Sequence, residues 1–138
     1  MFIERDDGAI LLVRHSYRQR WGVPGGLLER GEEAGFAATR EVKEETGLDV
    51  TLVGEPAVVV APVPQRVDLV YRARSDGADL IQARPSSPEI VECRWFDVEA
   101  LPELQFETSQ ALVALARSAH SPQARPMMTA FDRWSDTA

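Results

Sequence analysis

Residues 26–48 read GLLERGEEAGFAATREVKEETGL, and the fold turns on how this stretch behaves. Positions 32–46 are rich in Glu, Ala, Lys and Arg, contain no proline, and stop at Gly47, a residue suited to a left-handed helix C-cap. The composition predicts a helix over 32–46. Gly35, at a cost of about 1 kcal/mol relative to alanine, and the β-branched Thr39 do not break it. Along that helix Glu41, Glu44 and Glu45 fall at i, i+3 and i+4, so three carboxylates share one stripe within a single turn. Like charges at this spacing repel, and the helix macrodipole disfavours negative charge near a C-terminus. A divalent cation reverses the penalty, and hard carboxylate oxygens suit Mg²⁺ or Mn²⁺. The plain alternative is a solvated acidic face partly neutralised by Arg40 and Lys43. The helix alone does not separate the two readings.

Upstream of the helix, Trp21-Gly22-Val23-Pro24-Gly25-Gly26 combines an aromatic residue, three glycines and a proline, which makes a shaped loop and excludes a helix. Before it, residues 1–4 and 9–14 read as the strands of a hairpin turned by Asp6-Asp7-Gly8, the first of them stubby. Downstream, 48–53 and 57–61 are β-type runs broken by Gly54 and Pro56, with Pro62 and Pro64 ending the second. Residues 67–73 alternate as a strand, 75–88 form a polar connection, 90–96 is a further strand and 98–101 begins a short helical turn. Residues 107–119 place Leu112, Leu115 and Ala116 at helical spacing, which predicts a second helix packed on the sheet.

The chain is 138 residues long and 44% hydrophobic, which fits one domain over 1–120 followed by a tail over 121–138. A net charge of −7 argues against diffuse binding of nucleic acid, but not against an anionic small molecule whose contacts are mediated by cations. No apolar run is long enough to span a membrane and no leader pattern opens the chain, so a cytoplasmic location is expected. One cysteine, Cys93, and two histidines, His15 and His120, supply no cluster for structural zinc. A metal in this chain is held mainly by oxygen.

The context of the helix decides between its two readings. Gly26, five residues, Glu32, seven residues, then Arg40-Glu41-Val42-Lys43-Glu44-Glu45-Thr46-Gly47-Leu48 matches the full motif of the Nudix hydrolase family without substitution. Average residue frequencies give such a match a chance probability on the order of 10⁻⁷. The approach 21–25 and the segments around Glu89, Trp95-Phe96 and Leu101-Pro102 also resemble the family, so the likeness covers about residues 3–120. It implies an α/β fold, an α/β/α sandwich with a central mixed sheet and a loop-helix-loop motif. It implies Mg²⁺ or Mn²⁺ bound by Glu41, Glu44 and Glu45 with the Gly26 carbonyl, and either Glu44 or Glu45 doubling as the base. Arg40 is expected to orient these carboxylates, and Glu32 to pair with Arg40 or help hold the metal shell. In many members of the family the position of Glu89, just ahead of a strand, carries an acidic residue that reaches the metals or acts as general base, and Glu92 is its near competitor.

Arg14, Arg18 and Arg20 precede the motif where substrate phosphates would be met, although arginines at strand ends are routine on surfaces. Trp21 and Tyr71 are candidates to stack on a base, with core packing the competing role. His15 beside Ser16 does not make a nucleophilic pair, since neighbours on a strand face opposite ways. Cys93 reads as a small buried side chain. Met127, Met128, Phe131 and Trp134 in the tail read as docking on the domain or on a second subunit of a homodimer. The resemblance implies hydrolysis of a phosphoanhydride in a nucleoside diphosphate linked to another moiety, a (d)NTP or a nucleotide-diphosphate conjugate. The alternative is a non-catalytic nucleotide-sensing or protein-interaction module on the same fold. The first strand is shorter than the family's usual opening, which leaves either a short edge strand or a start upstream of Met1.

Overall fold

The computed structural model describes residues 1–75 and 82–119. Helix α1 spans Ala34–Thr46. It starts two residues later than the composition predicts because Glu33 caps it, accepting from the backbone N–H of Gly35 at 2.8 Å and of Phe36 at 2.9 Å. Gly47 closes it at φ 77, donating to the Lys43 carbonyl, a left-handed conformation that only glycine adopts without strain.

Five strands follow the hydrophobic pattern: β1 Phe2–Glu4, β2 Ile10–His15, β3 Val50–Pro62, β4 Gln65–Ser75 and β5 Ile90–Phe96. They form one sheet in the order β3-β4-β1-β2-β5, in which β1 and β4 run parallel and the other pairs antiparallel. The sheet is therefore mixed, as expected. Helix α2, Phe106–Ala119, packs on one face through Leu112 and Leu115 against Phe2, Ile10 and Leu12. The face towards α1 buries Ile3 and Leu11 with Val42, Leu48 and Ala73. Adjacent residues such as Leu11 and Leu12 thus serve opposite layers, which is the period of two that a doubly covered strand requires.

Three local expectations are corrected. The β-runs on either side of Gly54 and Pro56 are one strand, β3, whose register against β4 shifts between Val53 and Ala57. Gly54 at φ 69 absorbs the irregularity, and an edge strand tolerates a proline because it has one side with no ladder to complete. The helical turn expected at 98–101 is a plain turn, closed by Ala100 N–H donating to the Asp97 carbonyl. The short first strand is not at the edge: β1 lies between β4 and β2, pairing Phe2, Ile3 and Glu4 with Arg72, Ala73 and Arg74. Among the described residues, no strand continues beside the earlier part of β4, and the sheet is open there. The tail, with Met127, Met128, Phe131 and Trp134, lies outside the described residues, as does the middle of the connection predicted at 75–88. Among the described residues no helix is long and apolar enough to cross a membrane.

Candidate active site

The carboxylates of α1 face the Pro24-Gly25-Gly26 segment of the loop before it. Glu45 is 4% exposed, and its carboxylate accepts from the Gly25 N–H. Its Oε2 has no hydrogen-bond partner. Burial first, then the charges of Glu41 and Glu89, push its pKa up to about 7, against the Gly25 hydrogen bond and the Met1 amino group, which draw it down. The Glu41 carboxylate lies flat against Gly26: a Cβ there would stand 2.6 and 2.7 Å from its two oxygens. A side chain at 26 would therefore displace that carboxylate, with no positive φ involved.

Arg40 is the brace of the motif. Its Nε and Nη2 donate to the two Glu32 oxygens at 2.8 Å each, and its Nη1 to Glu41 at 3.0 Å and to Glu44 at 3.2 Å. These carboxylates hold the guanidinium's pKa above its ordinary value, and the guanidinium in turn lowers that of Glu32. Glu44 is half exposed beyond Arg40. Among the described residues no three His, Cys, Asp or Glu side chains are gathered at metal-ligand spacing, and Arg40 takes Glu41 and Glu44 into its own fork. Even so, the donor set fits a hard divalent cation. One guanidinium serves Glu32, Glu41 and Glu44, and the buried Glu45, outside its hydrogen bonds, keeps an orphaned oxygen. Glu89 stands exposed in the turn ahead of β5, near enough for its charge to act on both Glu45 and His15.

On the other side of the Gly25–Gly26 loop is a cavity of about 470 Å³. Its walls are the loop from Val23 to Leu28, Ala34, Ala37 and Ala38 of α1, residues Arg66 to Tyr71 of β4, and the start of α2. It occupies the opening in the sheet beyond β1. Of the five substrate-contact candidates, Tyr71 alone lines it, itself 8% exposed. Arg18 reaches the rim by pairing at 2.8 Å with Glu107, which lines the cavity. Arg14 pairs with Glu92 at 3.5 Å and Arg20 with Glu103 at 3.8 Å, both away from the lining. Trp21 packs edge-on against Phe96, ring centroids 5.0 Å apart, beside the α2-side core. Its place is a packing place. Cys93 is half-buried in β5, and burial raises its thiol to about 11.

The sequence reading did not pair Arg66 with Asp68, which are hydrogen-bonded at 2.9 Å on the cavity wall, although two opposite charges spaced i, i+2 on an apolar strand were a signal. It also missed Gln105, for which no local signal exists. This buried amide Nε2 sits 3.1 Å from His15 Nδ1 and donates to the Arg20 carbonyl at 3.3 Å. Its backbone N–H donates to the Trp21 carbonyl at 2.7 Å. A Cβ on Gly22 would stand 2.6 to 2.8 Å from the same amide. Gln105 thus pins the root of the loop that carries Gly25 and Gly26.

Because Gln105 Nε2 donates to Arg20, it can donate to His15 only if Nδ1 carries a lone pair, so the clamp needs a neutral imidazole. Burial first and then the Arg18 charge lower the His15 pKa, against Glu89 and Glu107, which raise it. A histidine held below its unfolded value destabilises the fold as pH falls through that value, and the loss levels off once the folded imidazole protonates. His15→Asn, whose amide oxygen accepts without titrating, is expected to flatten this limb of melting temperature against pH below about 6.5. Equal slopes in the two proteins would remove His15 from the account.

Residues 1–116 match the model of the NUDIX domain. The chain belongs to the Nudix family. Among curated Nudix relatives it is 35% identical over 103 residues to the NAD-capped RNA hydrolase NudC of Vibrio atlanticus, covering 72% of this chain and 37% of that one. It is 30% identical over 107 residues to the human 8-oxo-dGDP phosphatase NUDT18, covering 74% and 32%. The chain therefore spans about a third of the length of these relatives. A solved ADP-ribose pyrophosphatase from Streptococcus suis superposes with a TM-score of 0.71 at 26% identity, covering 90% of this chain and 91% of that one. The expected Nudix-type α/β architecture is thus the observed one.

Proposed function

We propose that this Nudix chain is a Mg²⁺- or Mn²⁺-dependent hydrolase that cleaves the phosphoanhydride of a nucleoside diphosphate linked to a further moiety. The observation that carries the reading is Glu45: buried, unpartnered at Oε2, beside Glu41, and separated from the cavity by the Gly25–Gly26 loop. Glu41, Glu44 and Glu45, with the Gly26 carbonyl, would hold the cation. When bound it would neutralise the anhydride oxygens and ease the departure of the leaving phosphate. This chain's own residues would do the rest. Arg40 and Glu32 hold the carboxylates in place, Glu44 or Glu45 takes the proton of the attacking water, and Glu89 stands within electrostatic reach. The cavity takes the nucleoside side of the substrate, with Tyr71 on its wall and the Arg66–Asp68 pair as its polar contacts.

The substrates named for the relatives, an NAD cap, 8-oxo-dGDP and ADP-ribose, share a nucleoside joined to a pyrophosphate. That supports the substrate class without choosing within it. A net charge of −7 disfavours gripping an RNA chain, so a capped RNA would be engaged through its pyrophosphate end.

The test is phosphate, pyrophosphate and nucleotide release from (d)NTPs, ADP-ribose, nucleotide sugars, NADH, dinucleoside polyphosphates and NAD-capped RNA with Mg²⁺ or Mn²⁺. Turnover that needs the metal and is lost in Glu45→Gln is expected. Tight nucleotide binding with no turnover after metal addition would favour the sensing-module reading. The brace gives a second expectation. Arg40→Met leaves Glu32, Glu41 and Glu44 without their guanidinium, so it should lower the metal-free melting temperature, and Mg²⁺ should restore more of it than the cation adds to the wild type. Equal metal effects in the two proteins would place the cation elsewhere.

A further inference from the structure

The cavity follows the stretch of β4 that lies beyond its pairing with β1, so both faces of that strand line it. Leu69 points with Tyr71 to the α1 side, and Arg66 and Asp68 point with Val70 to the α2 side, as the period of two requires. The two halves differ in chemistry. On the α1 side the walls are Ala34, Ala37 and Ala38 of the helix with Leu69 and Tyr71 of the strand, a slot bounded by small and apolar side chains. On the α2 side they are Arg66, Asp68, Gln105, Glu107 and Thr108. A nucleoside divides in the same way, into a flat base with apolar faces and a hydroxylated sugar. The volume of about 470 Å³ is in the range of small-molecule sites.

The polar half is balanced in charge. Arg18 donates to both Glu107 oxygens, from Nη1 at 2.8 Å and from Nη2 at 3.3 Å, and Arg66 Nε donates to Asp68 Oδ2 at 2.9 Å. The Glu107 pKa is lowered, chiefly by the Arg18 hydrogen bond and in smaller part by the Arg66 charge, so the two pairs share one field. Two carboxylates beside two guanidiniums do not draw in a phosphate, and a neutral group rich in hydroxyls suits them better. An ionised carboxylate only accepts, and a sugar hydroxyl donates. Glu107 has both oxygens taken by Arg18, whereas the hydrogen bond from Arg66 falls on Asp68 Oδ2, which leaves Oδ1 as the acceptor to spare among the described residues.

We propose that Asp68 accepts from the vicinal hydroxyls of the substrate's ribose, so that this chain takes ribonucleoside diphosphate conjugates in preference to their 2′-deoxy counterparts. Arg66 holds the carboxylate in place, and the base lies in the alanine-walled slot. The inference rests on the reading of the cavity as the nucleoside side of the proposed hydrolase site. It goes beyond that reading by choosing between the two sugars.

The test reads binding as well as turnover. Titration calorimetry of the full chain with AMP and with 2′-deoxy-AMP, in the presence of Mg²⁺, is expected to show the ribonucleotide bound about 10- to 100-fold more tightly, the scale of one hydrogen bond to a charged group. Asp68→Ala should bring the two affinities together, mainly by weakening AMP. Asp68→Asn, which keeps the shape and one acceptor oxygen, should leave an intermediate preference and serves if the alanine variant does not fold, as judged by far-UV circular dichroism. Glu107→Gln, on the carboxylate that Arg18 occupies, should keep the preference. Equal affinities in the parent chain, or a preference that survives Asp68→Ala, would overturn the inference and leave the hydrolase reading standing. If neither nucleotide binds while nucleotide substrates are still turned over, the nucleoside lies outside the cavity and the inference falls alone. If neither binds and none is turned over, the hydrolase reading falls with it.

Discussion

Glu45→Gln is expected to lower turnover by about a thousandfold while making the metal-free protein more stable. The two effects have one cause. Glu45 is buried beside Glu41, and its pKa is raised from 4.5 to about 7. A carboxyl whose folded pKa is raised keeps its proton longer in the fold than in the unfolded chain, so the metal-free protein loses stability as pH rises from 4.5 towards 7 and carries the full loss above it. The amide removes the charge and keeps an oxygen for the Gly25 N–H. A gain on the order of 2 kcal/mol at pH 8 is expected, since part of the group's interaction is screened by solvent. Denaturant melts at pH 5 and pH 8, with and without Mg²⁺, provide the check. The variant should lose the pH slope and most of the metal's stabilising effect. A wild type with no loss of stability between these pH values would mean that Glu45 is not desolvated as the structure shows.

Gly26→Ala is expected to cut turnover by about 10- to 100-fold, the usual scale for disturbing the support of a metal ligand, with little change in melting temperature. The added Cβ would meet the Glu41 carboxylate at 2.6 and 2.7 Å from its oxygens. That group is the end of a flexible side chain, so the helix does not need to move. The carboxylate must turn away from the loop. The cost therefore falls on metal affinity, and raising the Mg²⁺ concentration should recover part of the rate. A large fall in melting temperature with no metal-dependent recovery would make Gly26 a folding residue.

Much of this arrangement could be read from residues near one another in the chain. Helix α1 was legible because composition, a cap at Gly47 and the spacing of Glu41, Glu44 and Glu45 all depend on local geometry. The bounds predicted for β5 match the structure for the same reason, since strand alternation is a local property. The continuity of β3 was not legible. Gly54 and Pro56 are breakers in isolation, and only pairing with β4 on an exposed edge makes them a bulge. The substrate side was hardest to read. Arg14, Arg18, Arg20 and Trp21 are near the motif in sequence, yet Arg14 lies near the end of β2 and the others in the turn and bridge that follow it, where they end on acidic partners or aromatic packing supplied by distant segments.

By itself the sequence determined the motif helix, its carboxylate stripe, the glycine loop ahead of it and the Nudix family, because each is a matter of spacing within a few turns of chain. Only the tertiary structure decided what surrounds them. The short β1 sits in the middle of the sheet and opens the cavity, Arg66 and Asp68 reach its wall from β4, and Gln105 holds the loop through His15, ninety positions away. Contacts over such separations depend on how layers pack, and hydrophobic periodicity records which side of a strand is buried without recording what it is buried against.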